Sequence, residues 1–220
     1  MNIEKINYCT EKQKYILNHY EKNFELNEFS DTDSFKFMDW ESRDSQFSRF
    51  YVLLENICLQ NKSILDIGCG LGDLYKFIST LNIPFEYCGM DFSSRCVEKC
   101  RRMFPEAEFI RKDIFVDTFK DDFKKFDVVF CSGLFNLNVE NNYDLLKYAL
   151  TCFFKLSSEY VVFNLLSSKS NNKEDKYFYF NSSAVLEIVS GLPFSSVRII
   201  EDYLDNDFTV VCSINQTASV

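Results

Sequence analysis

Three features of the 220-residue chain predict an α/β protein built on one mostly parallel, seven-stranded sheet with an antiparallel last strand. Short apolar runs of strand length alternate with longer segments of helical periodicity from residue 63 onward, the order that makes a parallel sheet covered by helices on both faces. The first run, with Ile64, Leu65 and Ile67, breaks into three glycines spaced by two, Gly68, Gly70 and Gly72, directly before a helical stretch. That is a buried strand, a tight turn and a helix start. The last two apolar runs flank Asp205-Asn206 and read as a hairpin.

The elements follow in chain order. Residues 1–60 read as a helical cap on the same domain, and residues 61–220 as the core. In the cap, Ile6, Tyr15, Ile16 and Leu17 are interspersed with charge, and 27–39 is a polar, acidic loop or lid. Trp40, Phe47, Phe50, Tyr51 and Leu54 then recur at helical spacing and predict an amphipathic helix. The core reads βαβαβαβ to residue 131, with strands at 64–67, 85–90, 106–110 and 127–131 and a first helix at 74–80. A helix at 143–154 and a strand at 160–165 come next. Residues 169–176 are polar and charged, a second candidate lid. A helix at 182–190 is closed by Gly191 and Pro193. The hairpin strands fall at 197–203 and 208–213.

The glycine turn is built for close backbone approach to a ligand, and the helix beyond it offers free N–H donors. A dinucleotide fold would place its third glycine at position 73, where pyrophosphate sits on the helix N-terminus. This chain has Asp73 there and Asp66 at the strand end. Two carboxylates repel a diphosphate and suit a ligand carrying an amine and a sulfonium, which is S-adenosylmethionine. Asp91 ends the second strand, twenty-five residues after Asp66, where a ribose diol donates two hydrogen bonds. Phe92 and Met90 flank it as candidate adenine contacts. Asp113, followed by Ile114, ends the third strand and is placed to accept from the adenine amino group. Taken singly, Asp91 and Asp113 also read as solvated loop or capping residues.

The segment 63–136 resembles the core of the class I S-adenosylmethionine-dependent methyltransferases, through Asp66, Gly68, Gly70, Gly72 and Asp91 and more loosely Asp113. Further stretches are similar to a group of small bacterial and archaeal methyltransferases: Trp40 with Gln46-Phe47-Ser48-Arg49-Phe50, Ser132-Gly133-Leu134-Phe135-Asn136, Phe163-Asn164-Leu165-Leu166-Ser167, and Asp202-Tyr203 with Asp207-Phe208-Thr209. Together they cover about four fifths of the chain. The resemblance implies a Rossmann-like fold, S-adenosylmethionine as cofactor and a small-molecule acceptor. It adds Trp40, Gln46, Cys69 and Ser132 to the cofactor-binding candidates. Arg49 is the candidate for the cofactor carboxylate, which an arginine grips bidentately.

Composition narrows the partners. The net charge is −9, and no basic block longer than the pairs Arg101-Arg102 and Arg111-Lys112 is present. Nucleic-acid binding rests on phosphate neutralisation, so the charge argues against a large RNA or DNA acceptor. No 18-residue apolar run occurs, so no membrane span is expected. The opening residues lack a signal-peptide pattern, and the cytoplasm is the expected compartment. Nine scattered cysteines with no Cys-x-x-Cys pair, and the single His19, read as reduced thiols without a zinc site.

Methyl transfer is an in-line displacement that needs alignment and exclusion of water, and a base only when the nucleophile starts protonated. No carboxylate pair beyond the cofactor set suggests a metal, so none is expected. An anionic oxygen would want arginine, an alcohol a base such as Asp207 or a tyrosine, and an amine acidic or carbonyl partners. Asn136 and Asn164 follow apolar strands at the active edge, where an amide has no packing reason to be. They are the first candidates for acceptor positioning, with Tyr177, Tyr179 and Tyr203 behind them. The balance of donors and phenols favours methylation at oxygen, and the resemblance implies a small metabolite such as a glycan or natural-product precursor. The rival readings are an RNA or protein methyltransferase and a non-catalytic cofactor-binding or scaffold subunit. A nicotinamide dehydrogenase is disfavoured by Asp73.

Overall fold

The computed structural model describes residues 18–19, 40–117, 119 and 123–215. The helical reading around Ile6 and Tyr15–Leu17 and the expected lid at 27–39 lie outside these residues. The described part of the cap begins at Trp40 and forms α1 (Arg43–Asn56). The core then runs β1 (Ser63–Ile67), α2 (Asp73–Ser79), β2 (Glu86–Asp91), α3 (Ser94–Met103), β3 (Glu108–Arg111), β4 (Phe126–Cys131), α4 (Asn142–Leu156), β5 (Ser157–Leu166), α5 (Ser182–Ser190), β6 (Ser196–Ile200) and β7 (Asp207–Ser213).

The seven strands form one sheet in the order β3-β2-β1-β4-β5-β7-β6. All pairings are parallel except the two made by β7, which runs antiparallel to β5 and β6. The strand order reverses at β1, so β1 and β4 flank the crevice where an open sheet of this kind takes its ligand. Strand alternation divides the core in two. Leu65, Ile67, Val129, Cys131, Val161 and Phe163 face α4 and α5. Ile64, Val128, Phe130, Val162 and Val211 face α1, α2 and α3.

A capping box starts α1: Ser45 N donates to Ser42 Oγ at 3.0 Å, and Ser42 N to Ser45 Oγ at 3.3 Å. The helix buries Phe50 and Leu53 against the sheet, with Phe50 5.4 Å from Phe77 and 6.2 Å from Phe130 between ring centroids. Its buried face also carries the polar Ser45, Gln46 and Arg49. Tyr51, expected on that face, is 55% exposed and meets Phe77 edge-on at 5.1 Å.

Two expectations are corrected. The β3–β4 connection holds no helix among its described residues. Asp113 there folds the chain into turns: its Oδ1 accepts from Phe115 N and its backbone carbonyl from Val116 N and Asp117 N. An aspartate that binds its own following backbone competes with a helix. The sixth strand stops at Ile200 rather than 203, because Glu201 and Asp202 are exposed and Tyr203 turns in toward Asp207.

Candidate active site

The turn after β1 is held from β2. Gly68 N and Cys69 N both donate to Met90 O, at 2.8 and 3.1 Å. Gly68, Gly70 and Gly72 take φ of 77°, 52° and 76°, the left-handed region where a side chain is strained. Asp91 reaches back across the turn. Its Oδ2 accepts from Gly70 N and its Oδ1 from Ser93 N, both at 2.9 Å. Burial pushes its carboxyl up to about 6. Asp66 is buried one pleat away, and its Oδ2 accepts from Tyr87 OH at 2.7 Å. Burial, reinforced by the charges of Asp91 and Asp73, pushes Asp66 up to about 7. Asp73 opens α2 and accepts from Gln46 Nε2 at 3.0 Å, which ties α1 to the turn. Three carboxylates thus surround the turn, a setting that favours a cation.

Arg49 is only 3% exposed, and its partner is Asp207. Its Nε and Nη2 reach Asp207 Oδ2 at 3.0 and 2.5 Å, and its Nη1 donates to Ser45 O. Asp207 also accepts from Tyr203 OH and from Asn164 Nδ2. Tyr203 OH lies 2.8 Å from Thr209 Oγ1 as well. Burial raises the Asp207 carboxyl while Arg49, Tyr203 and Asn164 draw it back down. Burial and Asp207 together drive the Tyr203 phenol up. Trp40 lies beneath Arg49, with the guanidinium carbon 4.6 Å from the ring centroid. Trp40 also meets Gly133, where an added Cβ would come within 3.0 Å of the indole.

The ends of β4 and β5 lie side by side, with Cys131 paired to Phe163, so the next residues, Ser132 and Asn164, occupy neighbouring positions. Ser132 Oγ, Asn136 Oδ1 and Asn164 Oδ1 are buried without hydrogen-bond partners. The loop carrying Asn136 is pinned twice. Asn142, 1% exposed, donates to Phe135 O and Leu137 O and accepts from Val139 N. From the other side, Phe178 N donates to Asn136 O and Asn138 N to Lys176 O, which brings Tyr177 beside the loop.

The predicted residues therefore sort themselves. Asp66, the glycines, Asp91 and Ser132 converge on the crevice at the ends of β1, β2 and β4. Met90 and Ile114 lie in the core, at 1% and 4% exposure, while Phe92 and Asp113 stay half-buried at the rim. The hydroxyl of Tyr179 accepts from Glu174 N and so secures the expected lid at 169–176. Tyr87 and Asn142 were not legible as site residues. Tyr87 reads as one more aromatic of a buried strand, and Asn142 as one of two adjacent asparagines before a helix.

The sequence of residues 64–152 matches the family described as Methyltransferase domain. Over these residues the chain carries a methyltransferase domain. S-adenosylmethionine is its methyl donor. No curated protein matches the sequence. Solved structures agree with this methyltransferase in fold. A TehB-like methyltransferase from Corynebacterium glutamicum superposes with a TM-score of 0.63 at 14% identity, covering 90% of this chain and 100% of the other. Magnesium protoporphyrin IX methyltransferase from Synechocystis with bound S-adenosylhomocysteine gives 0.61 at 11%, covering 91% and 94%. A methyltransferase from Clostridium acetobutylicum gives 0.59 at 14%, covering 94% and 99%.

The residues of this methyltransferase fit the donor. A carboxylate offers roughly four acceptor positions. Asp91 uses two of them on Gly70 and Ser93, which leaves capacity for a ribose diol. When bound, S-adenosylmethionine supplies a methyl group already activated on a positively charged sulfur. Around the turn the chain places the Asp91 carboxylate with that spare capacity, the carboxyls of Asp66 and Asp73, and α1 tied to Asp73 through Gln46.

Proposed function

We propose that this methyltransferase acts, without a metal, on a small cytoplasmic acceptor that brings its own hydrogen-bond donors, a hydroxyl or an amine. The observation that carries this reading is the row of unpartnered polar atoms, Ser132 Oγ, Asn136 Oδ1 and Asn164 Oδ1, at the active edge. A buried polar group left unsatisfied costs roughly 1–3 kcal/mol, so such a row belongs to a site that a ligand completes. Ser132 follows β4 directly and neighbours Asn164 of β5, and Asn136 lies in the loop beyond, a compact set that suits a small molecule. The anionic form of the oxygen acceptor wanted a cation, and Arg49 is engaged by Asp207 and Ser45. The carboxylates that a metal would require have protein partners: Tyr87 on Asp66, Gln46 on Asp73, Gly70 and Ser93 on Asp91, and Arg49 on Asp207. Asp91 would hold the ribose, and Asn136 and Asn164 would position the acceptor.

The test uses methyl-labelled S-adenosylmethionine with the full chain and, in separate reactions, a deproteinised small-molecule extract, total RNA and total protein. Label should enter the small-molecule fraction and be insensitive to EDTA. Label confined to RNA or protein would overturn the reading, and abolition by EDTA would restore a metal.

A further inference from the structure

The unpartnered polar atoms of β5 and of the loop after β4 differ in kind, and the difference discriminates between acceptors. Asn164 is oriented without ambiguity. Its Nδ2 faces both oxygens of Asp207 at 3.3 Å, a position only the donor end of an amide can take, so its Oδ1 must point away from Asp207. That oxygen is 1% exposed by residue and has no partner. Asn136 likewise buries an unpartnered Oδ1. Its Nδ2 lies 3.7 Å from the place a Cβ on Gly133 would occupy, on the strip where Trp40 also packs. Two amide oxygens are pure acceptors and very weak bases. They ask for two N–H or O–H donors and can take up no proton.

Among the described residues, the possible bases nearby are occupied. Asp207 already receives hydrogen bonds from Arg49, Tyr203 and Asn164. Asp66 receives Tyr87, and Tyr203 is a phenol driven further from ionisation by burial. A hydroxyl has one hydrogen, which a base must remove as the oxygen attacks. Among the described residues it meets two acceptors and no free base. A primary amine gives its ammonium proton to water before it binds, and the neutral form, with two N–H groups and a lone pair, attacks with no base in the site.

We infer that the acceptor is a primary amine, its two N–H groups held by Asn136 Oδ1 and Asn164 Oδ1 so that the nitrogen lone pair faces the sulfonium methyl. This rests on the small-molecule reading above and names its substrate class. In the step, the C–N bond forms as the C–S bond breaks and the sulfur leaves with the bonding pair as a neutral thioether. The positive charge passes to nitrogen, and the N-methylammonium product releases a proton to water afterwards. The negative field of Asp73 and Asp91 accommodates the one positive charge of the step, on sulfur before transfer and on nitrogen after it. Asn136 and Asn164 act by alignment.

Ethanolamine and tyramine test this, because each carries an amine and a hydroxyl on one skeleton. Each is incubated with methyl-labelled S-adenosylmethionine, and the labelled atom is located by fragmentation mass spectrometry. S-adenosylhomocysteine affinity is measured by calorimetry on the same preparations. The expected label is on nitrogen by at least tenfold over oxygen. Asn136→Ala and Asn164→Ala should each lower N-methylation at least tenfold, with product affinity within twofold and unfolding midpoints close to those of the parent. Label on oxygen, no label on either probe, or full N-methylation in both variants overturns the inference. If S-adenosylhomocysteine fails to bind at all, the proposed function fails with it; if it binds while oxygen is labelled, only the amine assignment falls.

Discussion

Replacing Arg49 with methionine should destabilise the protein far more than loss of a surface arginine would. The side chains of Arg49 and Asp207 are 3% and 0% exposed, and two of the guanidinium nitrogens hold one carboxylate oxygen. Methionine keeps most of the packing under Trp40 but leaves Asp207 buried with only Tyr203 and Asn164 as donors. Breaking a buried pair from one side costs about 3–5 kcal/mol. For a chain of this length each kcal/mol shifts the midpoint by about 2–4 °C, so a fall of roughly 6–20 °C is expected. The double variant Arg49→Met with Asp207→Leu removes the stranded charge and should recover at least half of the loss. Urea denaturation of the parent, both single variants and the double variant reads this directly. A loss below about 1 kcal/mol for Arg49→Met, the figure for an exposed pair, would show that Asp207 is not a buried counter-charge and refute the reasoning.

Further tests address the turn and its neighbours. Asp91→Ala should weaken S-adenosylhomocysteine at least tenfold by calorimetry, since each charge-assisted bond to a diol is worth about 1.5–3 kcal/mol, and unchanged affinity would remove Asp91 from the site. Binding to the parent should also weaken as pH falls through about 6, where Asp91 takes up its proton. Asp66 has a folded-state pKa of about 7, raised from 3.8, so its contribution to stability is present below the lower value and lost as pH rises through the higher. Asp66→Asn should flatten that decline between pH 4 and pH 7, and an unaltered pH–stability curve would place the ionisation elsewhere. Gly133→Ala should displace Trp40, because a Cβ there meets the indole at 3.0 Å on a backbone with φ of 79°; tryptophan fluorescence identical to the parent would contradict this packing.

The sequence alone determined the alternation of strands and helices, the antiparallel final strand and the glycine turn with its carboxylates. Those features are local. Apolar periodicity reports a strand or helix wherever it stands, and three glycines before a helix need no distant partner to be read. Asp66 and Asp91 were legible for the same reason, as acidic residues closing apolar strands. Element ends shifted by a few residues, since strand ends depend on neighbouring strands: β5 begins at Ser157, ahead of its apolar run, because β4 pairs with it there.

Only the tertiary structure decided what the charged and polar side chains do. Arg49 was expected at the cofactor carboxylate, and the fold gives it Asp207, 158 residues away in sequence. Asn164 and Tyr203 read as separate candidates, and the register of β5 against β7 gathers them on that same aspartate. Burial then raised the cost of every unmatched polar group, so that an unpaired amide oxygen at the sheet edge became informative. A hydrogen bond between distant residues leaves no periodicity in the chain. It exists once hydrophobic packing has placed α1 across the ends of the strands and excluded water from between them.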